Sequence, residues 1–172
     1  KVSTYSVKHI HEVLDEIQKL PANYKAWNLG LASALACGAF TFLLGGGPVE
    51  MCCAFLGAGV GNFVRKKMLG HSISLLANVA VSVAASCLVY VLTILLAQSL
   101  LSVSAVHQAG YICAMLFVIP GFPLITGGID LAKLDLRSGL ERVSYALLII
   151  LTATMTGWAT AAICQFQPAD FE

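Results

Sequence analysis

Seven residues in one apolar run, Pro120, Gly121, Pro123, Thr126, Gly127, Gly128 and Asp130 of "FVIPGFPLITGGID", combine helix breakers with a hydroxyl and a carboxylate. Proline removes a backbone donor and clashes with the preceding turn. Hydrocarbon offers no water to repair that loss, so non-helical backbone at membrane depth survives only when buried in protein or lining a cavity. The density of breakers in "IPGFPLITGG" predicts an unwound segment, and unwound helices near a bilayer midplane expose carbonyls and half-helix ends that hold substrates and ions. Thr126 adds a hydroxyl to that set, and Asp130 is the nearest candidate for a proton or substrate-amine partner. The competing reading is a short helix ended by its prolines, followed by a cytoplasmic loop.

Beyond the break, Asp130, Lys133, Asp135, Arg137, Glu141 and Arg142 alternate in sign. Such a run is a solvated, self-paired loop, or an inner gate whose ion pairs break and re-form. Glu50 is the other carboxylate to weigh. It follows "GGGP" at the start of a helix, where the dipole favours it; desolvated near the outer face, it is the second candidate to carry a proton. Asn62, Asn78 and His107 are expected to serve as helix–helix hydrogen-bond partners or interfacial residues.

The elements that position these groups follow from composition. Hydrophobic residues are 58% of 172 positions, charged residues 11%, and the mean hydropathy is +0.83, far from a soluble domain. A net charge of +1 argues against a nucleic-acid partner. The six cysteines, Cys37, Cys52, Cys53, Cys87, Cys113 and Cys164, sit in or beside apolar runs without a CxxC pair or a zinc-spaced His. They are expected to be reduced packing residues, with no metal or cofactor. No GxSxG, HExxH or P-loop is present, so an enzyme is not expected.

Five stretches are apolar enough to cross a bilayer core of about 30 Å, which takes about 20 helical residues: Ala26 to Leu44, Val49 to Val64, Leu75 to Ala97, Gly110 to Gly128, and Val143 to Cys164. Lys and Arg test the count. They occur in the N-terminal arm, in "RKK" at 65–67 and in the loop after the fourth span, and are missing from "GGGP", "QSLLSVSAVHQ" and the C-terminal "QFQPADFE". By the positive-inside rule this gives an all-α polytopic membrane bundle of five transmembrane helices, the fourth broken, with a cytoplasmic N-terminus and the C-terminus outside.

Residues 1–25 precede the first span as an amphipathic cytoplasmic helix and linker; 26–164 form the membrane domain, and 165–172 an extracytoplasmic tail. In the arm, Val7, Ile10, Val13 or Leu14, Ile17 and Leu20 recur at helical spacing, which predicts a helix on the inner membrane surface or on a further cytoplasmic segment. His9 and His11 point to different faces and make a poor ligand pair. The layout is not that of a signal peptide, and a first residue of Lys rather than Met predicts a fragment or processed chain. Small residues four apart (Gly30, Ala34, Gly38; Gly57, Gly61; Ala153, Gly157, Ala161) predict close helix packing.

The segments "LFVIPGFPLITGGIDLAKLDLRSGLERV" and "FLLGGGPVEMCCAFLGAGVG", with the five-span layout, resemble the membrane part of the threonine/serine exporter family from about Tyr24 to Cys164. Its most specific part is the proline-glycine motif, the glycine and acid that follow, and Gly139, Leu140 and Arg142. The resemblance implies a bacterial inner-membrane secondary exporter of threonine and serine driven by protons, although some relatives are linked to dicarboxylate export. It also implies a substrate or gating role for Pro120, Gly121, Pro123, Gly127, Gly128 and Asp130, and a structural one for Gly46, Gly139 and Arg142. Complete members carry a second membrane half, fused or separate, so a partner half or a homo-oligomer is expected alongside lipid and a small-molecule substrate. The rival expectations are a succinate-like dicarboxylate exporter subunit and a non-transporting assembly subunit.

Overall fold

The computed structural model describes residues 7–19, 25–69, 73–101 and 110–164. His107, residues 165–172, where an extracytoplasmic tail is expected, and most of the loop expected after the third span lie outside them. Among the described residues the chain is entirely helical: α1 (Val7–Lys19), α2 (Ala26–Leu43), α3 (Pro48–Met68), α4 (Leu75–Leu101), α5 (Gly110–Ala114), a 3-10 turn at Leu116–Val118, α6 (Gly121–Ala132) and α7 (Leu136–Ile163).

α2, α4 and α7 are long and apolar enough to cross a bilayer, and the bent pair formed by α5 and α6 adds a fourth candidate. α3 has 21 residues, about 31 Å at 1.5 Å per residue, but Glu50 and Arg65-Lys66-Lys67 make it too polar to qualify by composition. Three or four spans thus stand against the five expected. "RKK" occupies the last turn of α3 instead of a loop after it, because the helix continues four residues past Val64.

α2 and α3 form an antiparallel hairpin in which glycines set the approach. A Cβ on Gly30 would lie 3.1 Å from the Gly59 carbonyl, and one on Gly38 3.3 Å from that of Met51. α3 turns its other small-residue face inward, where Gly57 meets Ser86 of α4 and Ala114 of α5, and Gly61 meets Ser86 and the Phe117 ring. From the opposite side Gly157 of α7 receives Met115. The glycine spacing therefore does more than join straight helices. It makes room for a short broken segment in the middle of the bundle, where Tyr111, Cys113, Ala114 and Val118 are buried in the core with Val83, Cys87, Tyr90 and Ile149.

The periphery is different. α6 makes its substantial contacts with α7 alone and leaves Phe122 and Ile125 79% and 67% exposed. α1 is helical as its spacing predicts, with Ile10, Val13, Leu14 and Ile17 on an uncovered apolar stripe.

Gly61→Ala forces a methyl to within 2.7 Å of Ser86 Cβ, a strain of about 1–3 kcal/mol. A methyl group at Gly128 would meet no atom within 4 Å, so Gly128→Ala should gain about 0.5–1 kcal/mol of helix stability. Melting temperatures in detergent should fall for the first variant and hold or rise for the second; equal values would remove close packing as the reason for glycine at 61.

Candidate functional site

The site is built around the break. Ile119 is extended (φ −59°, ψ 121°), as the residue before a proline prefers. Pro120 (φ −81°, ψ 68°) then lets the Gly121 amide donate to the Ile119 carbonyl at 2.9 Å, an inverse γ-turn. The two flanking helical segments meet at 67°.

The break is narrower than the sequence predicts. Backbone outside the α-helical form runs from Met115 to Pro120, and α6 is helical through Pro123, Thr126, Gly127 and Gly128. Pro123 is the third residue of α6, where an amide has no intrahelical acceptor to lose. The Thr126 hydroxyl donates to the Phe122 carbonyl of its own helix at 2.8 Å. Gly127 is buried because Val143, Arg142 and Gly139 of α7 leave no room for a side chain, whereas Gly121 and Gly128 face open space.

A broken helix leaves carbonyls without their usual amides; the segment's own amides pair the Met115, Leu116, Ile119 and Pro120 carbonyls, and neighbouring helices supply donors to two others. Ser86 Oγ of α4 donates to the Ala114 carbonyl at 2.8 Å. Arg65 Nη1 of α3 donates to the Phe117 carbonyl at 3.4 Å, and the Cys37 thiol of α2 faces the Phe117 amide. The Asn78 amide of α4 donates in turn to the Arg65 carbonyl at 3.3 Å, and Tyr145 of α7 lies within the electrostatic reach of Arg65. α2 and α3 thus reach the irregular backbone at Phe117, while α4 holds the last residue of α5 before it.

α4 contributes more than one residue. Asn78, Ser82, Ser86 and Tyr90 recur every fourth position and all are buried, a polar line along one face of an otherwise apolar helix. Ser82 bonds within its own helix, to the Asn78 and Val79 carbonyls. Tyr90 packs its hydroxyl against Gly110 at the start of α5. Sequence reasoning missed this line, although the spacing in "NVAVSVAASCLVY" was there to find it.

Glu50 lies near the far end of that line. It is 4% exposed, at the third position of α3, and its carboxylate accepts from the Gly47 amide, half of a capping box. Gly46 is confined between Thr41 and this carboxylate. The Glu50 carboxyl lies within electrostatic reach of Cys53, Tyr90 and Cys113. Asn62, by contrast, ties α3 to α2, donating to the Leu29 carbonyl at 3.0 Å and to the Ser33 hydroxyl.

The charged run resolves into separate duties. Lys133 caps the C-terminus of α6, Leu134 takes a left-handed conformation (φ 64°), and the amides of Leu134 and Asp135 bond the Leu131 and Asp130 carbonyls at 3.0 Å each, a Schellman motif. Asp135 caps α7 by accepting from the Ser138 amide at 3.3 Å. Arg137 and Glu141 pair at 3.5 Å along one exposed face of α7. The one ion pair between helices among the described residues is Arg142 with Asp130, 3.1 Å apart and without the alignment of a hydrogen bond. Of the expected gate residues, then, only these two join different elements.

The family ThrE, described as "Putative threonine/serine exporter", matches residues 2–164. The chain belongs to this family. A curated relative from Klebsiella aerogenes, named "Probable succinate transporter subunit YjjP", is 28% identical over 165 residues, covering 88% of this chain and 61% of the relative. The chain therefore spans about three fifths of the length of the curated relative it matches. No solved structure matches. In this ThrE-family chain all six cysteines are free thiols, four of them buried, and no group of three metal-ligating side chains occurs among the described residues.

Ser86→Ala should leave the Ala114 carbonyl unpaired in the core and cost about 0.6–2 kcal/mol. Ser82→Ala removes only bonds within α4 and should cost less than Ser86→Ala. Thermal unfolding of the two variants side by side checks this, and an S82A loss as large as that of S86A would contradict the assignment.

Proposed function

We propose that this chain is the first membrane half of a secondary transporter that exports small hydroxy amino acids, threonine and serine, by proton antiport with alternating access. The observation that carries the reading is the helix break itself, contacted within the bundle by side chains of α2, α3 and α4. Irregular backbone of this kind is what midplane substrate and ion sites are made from. Family membership and the transporter subunit among its relatives support the class.

In this reading α2, α3, α4, the bent α5–α6 pair and α7 cross a bacterial inner membrane five times, with the N-terminus cytoplasmic and the C-terminus outside. α1 lies on the inner surface by its apolar stripe. Asp130 and Glu50 are the candidate proton carriers, at two separated places: Asp130 paired with Arg142, Glu50 beneath the "GGGP" turn. Pro120, Gly121 and Pro123 set the hinge, and Gly127 and Gly139 hold α6 against α7 as it moves. A second membrane half or a second copy of the chain completes the transporter. The relative's printed name favours one other substrate class, a dicarboxylate such as succinate.

Counterflow in proteoliposomes tests the reading without assuming a driving ion. Labelled threonine should accumulate when unlabelled threonine or serine is trapped inside, with the partner half supplied if needed; accumulation only with trapped succinate would assign the dicarboxylate class. Pro120→Ala combined with Gly121→Ala should straighten the bend and reduce counterflow at least tenfold, and full activity would reject the hinge. Asp130→Asn should abolish the pH dependence of efflux while leaving a folded protein, whereas an unchanged pH profile would take Asp130 out of coupling.

A further inference from the structure

Arg65 is a half-buried cation in the last turn of α3. Among the described residues no carboxylate lies within the 4.0 Å of an ion pair from it, and its guanidinium instead donates to the Phe117 carbonyl over a long 3.4 Å. A peptide carbonyl is a weak partner for a guanidinium, which binds carboxylates through charge-assisted and often bidentate bonds. A second unmet demand lies on α4, on the residue whose side chain contacts the Arg65 backbone. Asn78 is 4% exposed, and its Nδ2 donates to the Arg65 carbonyl, which orients the amide and leaves Oδ1 buried with no hydrogen-bond partner. A buried acceptor without a donor costs about 1–3 kcal/mol, and such orphans in a folded protein need an explanation.

Together the two groups ask for one molecule. We infer that Arg65 and Asn78 form the substrate site at the helix break: a carboxylate displaces the Phe117 carbonyl from Arg65, and an ammonium or hydroxyl group on the same molecule donates to Asn78 Oδ1. The inference rests on the transporter reading and sharpens it. A zwitterionic hydroxy amino acid satisfies both demands, while a dicarboxylate satisfies Arg65 and sets a second negative charge near an acceptor. Displacing the Phe117 carbonyl also frees the backbone next to the 67° bend, so binding and hinge share one contact. Tyr145, within reach of Arg65, lies one turn beyond Arg142, the partner of Asp130; the site and the interhelical ion pair are therefore neighbours along α7.

The test measures threonine and succinate binding to the purified full-length protein, with its partner half if it has one, alongside counterflow. Arg65→Gln keeps a donor for the Phe117 carbonyl and removes the charge; it should retain the wild-type melting temperature within a few degrees and weaken threonine binding at least tenfold. Asn78→Leu keeps the volume and removes the acceptor. It should weaken threonine about tenfold and leave any succinate binding unchanged. Should Asn78→Leu fail to fold, Asn78→Asp gives the same reading with opposite emphasis, retaining threonine and rejecting succinate further. Wild-type threonine affinity in folded Arg65→Gln, with counterflow intact, overturns the site and leaves the transporter reading standing. Tighter wild-type binding of succinate than threonine overturns the role of Asn78, and a wild type that neither binds nor exchanges either compound takes down both readings.

Discussion

The packing of this molecule is arranged around six residues of irregular backbone that run from the core, at Val118, to the exposed Ile119. A free carbonyl in hydrocarbon is costly; the break from Met115 to Pro120 pairs the Met115, Leu116, Ile119 and Pro120 carbonyls through its own turn and 3-10 bonds, and its surroundings supply donors to Phe117 and to Ala114 just before it. Ser86 and Arg65 do so directly. Their reach is short, and that dictates the rest of the packing: α3 and α4 must approach the break closely, which explains glycine at 57 and 61, where Ser86, Ala114 and Phe117 occupy the space of a side chain. Gly157 serves the same end from α7. The small residues follow from the break as much as from helix pairing.

The α6–α7 hairpin is held by different means. Its turn is fixed by backbone bonds of the Schellman motif and by the Asp135 cap, its crossing by Gly127 and Gly139, and its polar contact by Asp130 and Arg142. Leu134 takes the left-handed conformation usually given to glycine. The hairpin is thus a coherent unit, joined to the buried part of the bundle through α7 and the bend at Ile119–Pro120.

Much of this is legible in the sequence, and the misses have physical causes. Four long helices and the amphipathic arm follow from hydropathy and period, because those signals sum over many residues. The position of the break follows from Pro120. Its extent does not, since Pro123 falls in the first turn of the next helix, where proline costs nothing, and glycine in α6 serves close packing at 127 and open space at 121 and 128. The charged run reads as a self-paired loop or an inner gate because alternation in sign does not reveal which charges cap their own helix. The polar line on α4 is hard to see because serine and asparagine are each common enough in a membrane helix to pass without notice. In the sequence Arg65 speaks for topology alone, though its side chain also reaches the break.

The distribution of contacts bears on how such a structure could hold two arrangements of similar free energy, as alternating access demands. Moving α6 exposes little that is now buried, because its outward face, with Phe122, Ile125 and Ile129, is already uncovered, and lipid tails are as apolar as a packed leucine. The glycine-lined core would lose far more by moving. In the proposed transport cycle the cost of motion falls on a few polar contacts, chiefly Arg65 with the Phe117 carbonyl and Asp130 with Arg142, which a bound ligand or proton would replace. An apolar hinge would respond to neither. In the proposed cycle, a hinge placed on polar contacts would give binding and protonation a direct hold on it.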